Sequence, residues 1–263
     1  MPPNLSIEVI SIADAEDPRL DGYRNVKDRD LIGRDGLFMA EGKVVLERLF
    51  ASDLCAPVSV LTTARRLEAL DVLALSEEVP VYVVPQDVMD ATAGFAIHRG
   101  YLALGRYAPK ADLDSVMKRP RLRLMALSAI ANVDNMGGLM RNAAAFGIDT
   151  VLIDSACCDP LYRKAIRVSV GGVFKTPHYR VEDLVGVLQA HDVAACALSP
   201  AGGVTLDALR PADRSAFIFG AEGPGLSADI LEACTSVRID MHGGFDSLNV
   251  ATTSGIVLYS ICR

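Results

Sequence analysis

The chain has 263 residues, of which 51% are hydrophobic and 22% are charged, and this composition excludes a largely disordered protein. The formal net charge of −7 argues against a protein that holds a long stretch of nucleic acid by its phosphates, although a local group of arginines can still bind phosphate. No apolar run approaches the roughly 18 residues of a membrane span, and the N-terminus lacks the layout of a secretory signal, so we expect a cytoplasmic protein.

Apolar patterns in the first part of the chain predict a small α/β layer. They indicate one helix and three short strands, at residues 42–52, 58–61, 81–84 and 101–104. The stretch 107–120 has two prolines, mixed charge and little periodicity, which is typical of a boundary. We therefore predict a first domain over residues 1–110, a linker over 111–120 and a second domain over 121–263.

In the second domain, strand-like apolar runs alternate with helical patterns. The runs and patterns cover residues 122–130, 138–146, 150–153, 184–190, 193–198 and 216–219, and a last helix starts near Asn249. This alternation predicts a parallel sheet covered by helices. Ligands of such sheets bind beyond the carboxyl ends of the strands, so the loops there are the candidate sites.

Cysteines and basic residues add less specific information. The six cysteines form no CxxC pair, so the sequence suggests neither a metal site nor a disulfide framework. Basic residues form three clusters, each of which is either a solvated face or a phosphate-binding face: Arg24, Lys27, Arg29 and Arg34; Lys118, Arg119, Arg121 and Arg123; Arg163, Lys164 and Arg167.

The first unusual loop leads into an alanine-rich helix. Asp134 or Asn135 could cap that helix by accepting from its free backbone N–H groups. Gly137 and the glycine after it allow a ligand or another backbone to come close. Arg141, which we expect early in the helix, is a forked donor suited to a phosphate or a polarised hydroxyl. A structural salt bridge is an equally good interpretation of Arg141.

The second unusual loop follows a buried strand and contains Gly220, Gly223 and Gly225. No Gly-Lys-Ser/Thr follows and no GxGxxG is present, so phosphate cradling is not supported. The glycines let a small molecule lie against bare backbone, and Glu222 between them could bind an amine or order the loop. A tight turn without a ligand is the plainer alternative.

The third unusual loop precedes the last helix. Ser247 and Asn249 stand where that helix begins, so either could act as its cap. Two polar side chains beside a helix N-terminus also form a usable binding corner. His242 is a lone histidine, and we expect a structural role for it.

Together the three loops closely resemble, in order and spacing, the signature motifs of SpoU-type ribose 2′-O-methyltransferases of the SPOUT superfamily. The matching residues are Asn135-x-Gly137-x-x-x-Arg141, Gly220-x-Glu222-Gly223-x-Gly225-Leu226-Ser227 and Ile239-x-Met241-x-Gly243-x-x-x-Ser247-Leu248-Asn249. The first domain resembles the ribosomal-protein-like substrate-binding module of that family through residues 36–42 and 94–100.

The resemblance implies a fold and an activity. The fold is α/β with a parallel sheet whose C-terminal segment forms a trefoil knot, usually in a homodimer. The activity is S-adenosylmethionine-dependent methylation of a ribose 2′-hydroxyl in RNA, with ribosomal RNA ahead of transfer RNA. The implied cofactor-binding residues are Leu198, Gly220, Glu222, Gly223, Ile239, Met241 and Leu248. Arg141 would act on the ribose hydroxyl, with Asn135, Ser247 and Asn249 positioning RNA and cofactor.

The third motif departs from the family pattern at three places. Asp240 stands where proline is usual, Asp246 where glutamate is frequent, and residues 251–255 are more polar than usual. Because of these changes, a catalytically silent RNA-binding protein of the same fold remains an alternative. A nucleotide-dependent oxidoreductase is the other alternative, and the missing GxGxxG argues against it.

Overall fold

The computed structural model describes residues 8–24, 36–67, 78–93 and 100–262. They form two compact units. The first comprises the described residues up to Pro109 together with Leu161–Lys175, and the second comprises Lys110–Pro160 and the residues from Thr176 onward. The stretch predicted as a linker therefore lies inside the second unit, and residues 161–175 belong with the first unit although their neighbours in sequence do not.

The first unit is built on a mixed sheet in which the described strands have the order β1-β4-β3-β5-β2. β5 is antiparallel to β2 and β3, and the remaining pairs are parallel. The elements are β1 (Val9–Ser11), β2 (Leu37–Glu41), α1 (Lys43–Phe50), β3 (Cys55–Thr62), α2 (Ala64–Leu67), β4 (Val81–Val83), α3 (Gln86–Ala93) and β5 (Tyr101–Tyr107). All four predicted elements are present; β1, β2, α2 and α3 are additions.

The second unit is built on a parallel sheet with the strand order β10-β12-β9-β11-β6-β7-β8 among the described residues. In chain order the elements are α4 (Leu113–Met117), β6 (Leu122–Leu127), α5 (Val133–Ala145), β7 (Thr150–Ile153), α6 (Arg163–Val168), β8 (His178–Arg180), α7 (Leu184–Ala190), β9 (Ala194–Leu198), β10 (Val204–Thr205), β11 (Arg214–Phe219), α8 (Ala228–Ala233), β12 (Thr235–Arg238) and α9 (Val250–Ile261). Of these, α6 belongs to the first unit. The alternation of apolar patterns thus predicted a parallel sheet and the strands β6, β7, β9 and β11, but it did not predict β8, β10 and β12.

The segment predicted as a linker contributes to the core of the second unit. Val116 and Met117 of α4 are each 1% exposed, and they pack with Leu122 and Leu124 of β6. Asp112 caps α4 by accepting from the backbone N–H of Ser115. Five helical residues are too few for a clear periodic pattern in the sequence, which explains why the helix was missed.

The carboxylate of Asp154 sets the end of β6 and the start of the first candidate loop. It accepts hydrogen bonds from the Ser128 hydroxyl at 2.9 Å and from the backbone N–H groups of Ala129, Ala156 and Cys157. These bonds hold Ala129 at φ 56°, a left-handed conformation that ends a strand. β6 therefore stops at Leu127, and not at residue 130 as the apolar run predicted.

Residues 161–175 complete the first unit. The Phe174 ring stacks on Phe38 with centroids 5.2 Å apart, and both side chains are 1% exposed. The Ser52 hydroxyl donates to the Phe174 carbonyl at 2.7 Å. Arg167 contacts the buried carboxylate of Glu41 at 3.9 Å. Arg167, one of the basic cluster Arg163, Lys164 and Arg167, thus pairs with Glu41 and is not simply part of a solvated face.

The six cysteines carry free thiols. Cys55, Cys157 and Cys196 are buried, and the other three are half-buried. Burial raises the pKa of Cys55 and of Cys157 to about 12, so both thiols stay protonated at neutral pH. In the part of the chain that the structure describes, no helix is long and apolar enough to cross a membrane.

Stability should depend on pH through His178 of β8. The side chain is buried, and this burial lowers the pKa of the imidazole from 6.5 to about 4. Between these values the unfolded chain binds a proton that the native chain does not, so the free energy of unfolding should fall as the pH drops from 6.5 to about 4. The loss should approach roughly 3 kcal/mol, from 1.36 kcal/mol per pKa unit.

Urea unfolding at several pH values between 7 and 4 would measure how the free energy of unfolding depends on pH. His178→Gln should remove the part of the slope that His178 causes, and His191→Gln, at the half-buried end of α7, should retain it. Equal slopes in the wild type and His178→Gln would contradict the assignment.

Candidate active site

Loops after three neighbouring strands of the second unit enclose a cavity of about 480 Å³. The strands are β12, β9 and β11, which are adjacent and parallel, so their carboxyl ends meet at one edge. The cavity is lined by all seven predicted cofactor-binding residues, namely Leu198, Gly220, Glu222, Gly223, Ile239, Met241 and Leu248. Ser247 and Asn249 line it as well.

The glycines of the second loop are required by a tight turn that borders the cavity. A Cβ atom on Gly220 would lie 2.6 Å from the carbonyl carbon of Gly225 and 2.8 Å from the backbone nitrogen of Leu226. Gly223 and Gly225 have φ values of 86° and 70°, which favour glycine. The Gly225 N–H donates to the Ala221 carbonyl at 3.1 Å and closes the turn. Bare backbone therefore faces the cavity, as the glycine spacing predicted.

Asn249 connects the three loops. Its Oδ1 accepts from the backbone N–H groups of Ala251 at 2.9 Å and Thr252 at 3.3 Å, and so caps α9. Its Nδ2 donates to Asn135 Oδ1 at 2.9 Å and to Glu222 Oε1 at 2.8 Å. Because backbone N–H groups fix the orientation of the amide, its nitrogen must face the two acceptors. One side chain therefore both caps a helix and joins the first and second motifs.

The capping predictions need correction at three positions. α5 begins at Val133 and not near Gly138, and its cap is Asn132, which accepts from the backbone N–H groups of Asp134 and Asn135. Either Asp134 or Asn135 had been predicted as that cap. Asn135 instead lies inside the helix, 7% exposed, where it bonds Asn249. Ser247 does not cap α9, because Asn249 holds that position.

Helix α5 packs on helix α9 through Gly138, one of the two glycines predicted to allow a close approach, and through Asn142, which the sequence did not single out. Asn142 Nδ2 donates to the Ala251 carbonyl at 2.7 Å and to the Ser254 hydroxyl at 2.8 Å. A Cβ atom on Gly138 would lie 2.7 Å from that of Ala251, so the helices approach closely there. Ser254 is fully buried and bonded, which explains the polar residue at this one position of the stretch 251–255.

Arg141 has a different place from the one predicted. It is the ninth of the 13 residues of α5, more than two turns from the N-terminus, so the positive end of the helix does not reach it. Its side chain is exposed, and it forms no hydrogen bond or ion pair with any other residue that the structure describes. The salt-bridge interpretation thus has no partner among these residues, and the guanidinium is available to a ligand. Arg141 does not line the cavity.

The residues of the basic clusters differ in their exposure and in whether they form ion pairs. Arg24 contacts Glu16 at 3.3 Å and Asp21 at 3.0 Å, so its charge is used within the first unit. The other members of its cluster, Lys27, Arg29 and Arg34, lie outside the described residues, as do residues 94–99 of the family-like segment. Near the start of β6, Lys118, Arg119, Arg121 and Arg123 are all exposed, and Arg119 pairs with Asp149 at 3.2 Å.

Comparison with known proteins identifies the family. The model of the SpoU rRNA Methylase family matches residues 123–259, more than half of the chain. The chain belongs to the SpoU rRNA methylase family. It is therefore an RNA methyltransferase of the SpoU type, and the family predicted from the three motifs is confirmed.

Two relatives of this SpoU-family chain have informative names. An uncharacterized tRNA/rRNA methyltransferase of Mycobacterium bovis is 35% identical over 269 residues, which cover 98% of this chain and 93% of the relative. The 23S rRNA (guanosine-2′-O-)-methyltransferase RlmB of Acinetobacter baylyi is 30% identical over 210 residues, which cover 76% of this chain and 84% of the relative.

Solved structures confirm the predicted fold class. The AdoMet-bound rRNA methyltransferase of Sinorhizobium meliloti has a TM-score of 0.80 at 20% identity and covers 96% of this chain and 97% of its own. An RNA 2′-O ribose methyltransferase has a TM-score of 0.78 at 24% identity and covers 95% of this chain and 97% of its own. The cofactor of the first structure agrees with the S-adenosylmethionine predicted for this SpoU-family chain. The trefoil knot stays a prediction.

Proposed function

We propose that this protein transfers the methyl group of S-adenosylmethionine to a ribose 2′-hydroxyl in RNA, with ribosomal RNA as the first candidate substrate. The observation that carries the proposal is the junction at Asn249, where the residues of all three motifs meet beside the cavity. The 2′-O activity in the name of RlmB, whose match covers three quarters of the chain, supports the same chemistry.

The cavity fits the proposed cofactor in size and in chemistry. About 480 Å³ lies within the range of small-molecule sites. Leu198, Ile239, Met241 and Leu248 provide apolar walls suited to an adenine ring, and the bare backbone at Gly220 allows close approach. Glu222 carries a carboxylate suited to the ammonium group of the methionine part. When bound, S-adenosylmethionine supplies a methyl group activated by its positive sulfur.

The residues of the chain then have to place and polarise the ribose hydroxyl. Arginine stays protonated in proteins, so Arg141 cannot remove the hydroxyl proton. Its guanidinium can instead stabilise negative charge developing on the oxygen and hold a neighbouring phosphate. Asn135 and Asn249 fix helix α5 against the cavity wall, and the remaining contribution is the in-line placement of oxygen and methyl group.

Titration calorimetry with S-adenosylhomocysteine is the first test, with NADH as the control ligand. Binding of S-adenosylhomocysteine alone would support the proposal. Binding of neither ligand would favour the catalytically silent RNA-binding protein, and binding of NADH would favour an oxidoreductase. Transfer of a labelled methyl group to ribosomal and transfer RNA, followed by alkaline hydrolysis, would then identify the RNA, because 2′-O-methylation blocks cleavage at the modified nucleotide.

We further propose a homodimer, and a cytoplasmic location, as the sequence suggested. Exposed apolar side chains on α9 support the dimer, since Ile256 is 39% and Tyr259 is 55% exposed. The Tyr259 ring meets the Phe146 ring edge-on, with the ring centroids 6.4 Å apart. A second copy of the chain would cover this face. Light scattering should give twice the chain mass for the wild type and the single mass for Ile256→Glu; a monomeric wild type would refute the dimer.

Asn249→Asp should separate helix capping from the junction between motifs. Aspartate keeps the oxygen that caps α9 but replaces the donor that faces Glu222 and Asn135 with a second acceptor. We expect the melting temperature to change little and the cofactor Kd to rise roughly tenfold, because a hydrogen bond to a charged group is replaced by repulsion. The matched control is Asn132→Asp, which keeps the cap of α5. An unchanged Kd in Asn249→Asp would contradict a role of the junction in binding.

A further inference from the structure

Arg238 joins two loops that both contribute to the cavity wall. It is the last residue of β12, and its Nε donates to Asp240 Oδ1 at 2.8 Å. Its Nη1 donates to the Gly202 carbonyl at 2.9 Å and lies 3.4 Å from the Gly203 carbonyl. The two neighbours of Asp240 in sequence, Ile239 and Met241, both line the cavity.

The loop at the other end of this contact also reaches the cavity. It follows β9, and the last residue of β9, Leu198, and the first residues of the loop, Ser199 and Pro200, are part of the lining. Two backbone features fix it against β12: the Ser199 N–H donates to the Val237 carbonyl at 2.9 Å, and a Cβ atom on Gly202 would lie 2.4 Å from the carbonyl carbon of Val237. Arg238 is thus a side-chain link across a place where the two backbones already touch. The Ser236 hydroxyl, which accepts from the Gly203 N–H at 3.0 Å, is a second link at the start of the same loop.

With aspartate at position 240, the turn at Ile239 depends on such a link more than it would with proline there. Proline fixes its own φ angle and restricts the residue before it, so it would stiffen the turn at Ile239 without help from other residues. Aspartate leaves both residues free unless its side chain is held. The backbone N–H of Asp240 donates to no other residue that the structure describes, so proline could be accommodated at this position without the loss of a hydrogen bond.

We propose that Arg238 and Asp240 are positioning residues for the cofactor: they form a brace that holds residues 239–241 against the loop after β9 and thereby sets cofactor affinity. This inference rests on the proposed function, because it assigns the cavity to the cofactor. The two side chains are 35% and 68% exposed, so their ion pair contributes little to global stability. Its effect is on the shape of the cavity wall.

The test compares binding of S-adenosylhomocysteine by calorimetry among variants of the full chain. Arg238→Ala should raise Kd roughly tenfold, since a binding loop that must be ordered on binding costs affinity. Asp240→Asn should raise it less, because the contact of Arg238 to Gly202 remains. Arg238→Ala combined with Asp240→Pro should return the Kd towards the wild-type value. The matched control is Arg210→Ala, which should bind as the wild type does. Arg210 is exposed, and its hydrogen bonds within the described residues go to the nearby carbonyls of Asp207 and Leu209.

The outcomes distinguish the brace from the proposed function. A wild type that binds, with unchanged affinity in Arg238→Ala and in Asp240→Asn, would overturn the brace alone. A wild type that does not bind would overturn the cofactor assignment and the brace with it. If Arg238→Ala lowers the melting temperature strongly, Asp240→Asn still tests the brace. A positioning role also predicts a raised KM for the methyl donor with kcat at saturation largely retained, which general unfolding would not give.

Discussion

Arg141→Ala should abolish methyl transfer and leave cofactor binding intact. The side chain is exposed, it has no partner among the described residues, and it does not line the cavity. Its removal therefore breaks no hydrogen bond or ion pair within the described part of the chain. If the guanidinium stabilises charge on the ribose oxygen, its loss should lower kcat by about a hundredfold or more, the cost of losing one donor to such an oxygen.

The measurement pairs single-turnover methyl transfer with calorimetry on the same sample. Arg141→Lys should recover only part of the rate, because lysine keeps the charge but not the fork of donors. The matched control is Arg121→Ala, an exposed arginine just before β6, at the opposite end of the strands from the cavity. Normal turnover in Arg141→Ala, or loss of cofactor binding, would refute the role of Arg141.

Gly220→Ala should eliminate measurable cofactor binding. A methyl group at this position would lie within 2.6–2.8 Å of the backbone of Gly225 and Leu226, and the contacted atoms cannot rotate away as a flexible side chain could. The turn over residues 220–225 must then open, which displaces Glu222 from Asn249 and changes the wall of the cavity. We expect a rise in Kd of at least about a hundredfold, equivalent to roughly 2.7 kcal/mol.

The control for this prediction is Gly255→Ala, a glycine-to-alanine change in the interior of α9. The nearest atom to the added methyl group would be Asn142 Nδ2 at 3.5 Å, which is ordinary contact, so binding should stay normal and stability should rise slightly. Calorimetry and thermal unfolding of both variants would measure these effects. Binding of the cofactor by Gly220→Ala with wild-type affinity would show that the cavity is not the cofactor site.

The sequence allowed the site to be located because its parts depend on local rules. Glycine-rich turns and polar residues at strand ends stand out in any single sequence, and parallel strands bring their carboxyl ends together. Gly220, Glu222 and Asn249 were recognised as candidates in this way, and their roles were implied by the resemblance to the family motifs. What the sequence did not reveal is which of two roles Asn249 has; the structure gives it both, since one atom caps α9 and the other joins the motifs.

The residues that were missed act through contacts between distant segments. Asp154 organises the turn after β6 from the end of β7, and Asn142 bonds a helix more than a hundred residues away. Nothing in their local pattern distinguishes them from exposed polar residues. Arg238 was overlooked for the same reason, because its partners include a carbonyl 36 residues earlier in the chain. Short strands such as β10 and β12 are similarly decided by their neighbours and not by their own sequence.

The position of residues 161–175 has a consequence for synthesis on the ribosome. Phe38 and Glu41 of the first unit emerge early, but Phe174 and Arg167, which pack on them, are translated more than a hundred residues later. The first unit therefore lacks these contacts until residues 161–175 have been translated, and by then residues 110–160 of the second unit have already been synthesised. Folding of the two units is thus interleaved in time, and a gene fragment that ends at residue 109 would encode a sheet without its covering phenylalanine.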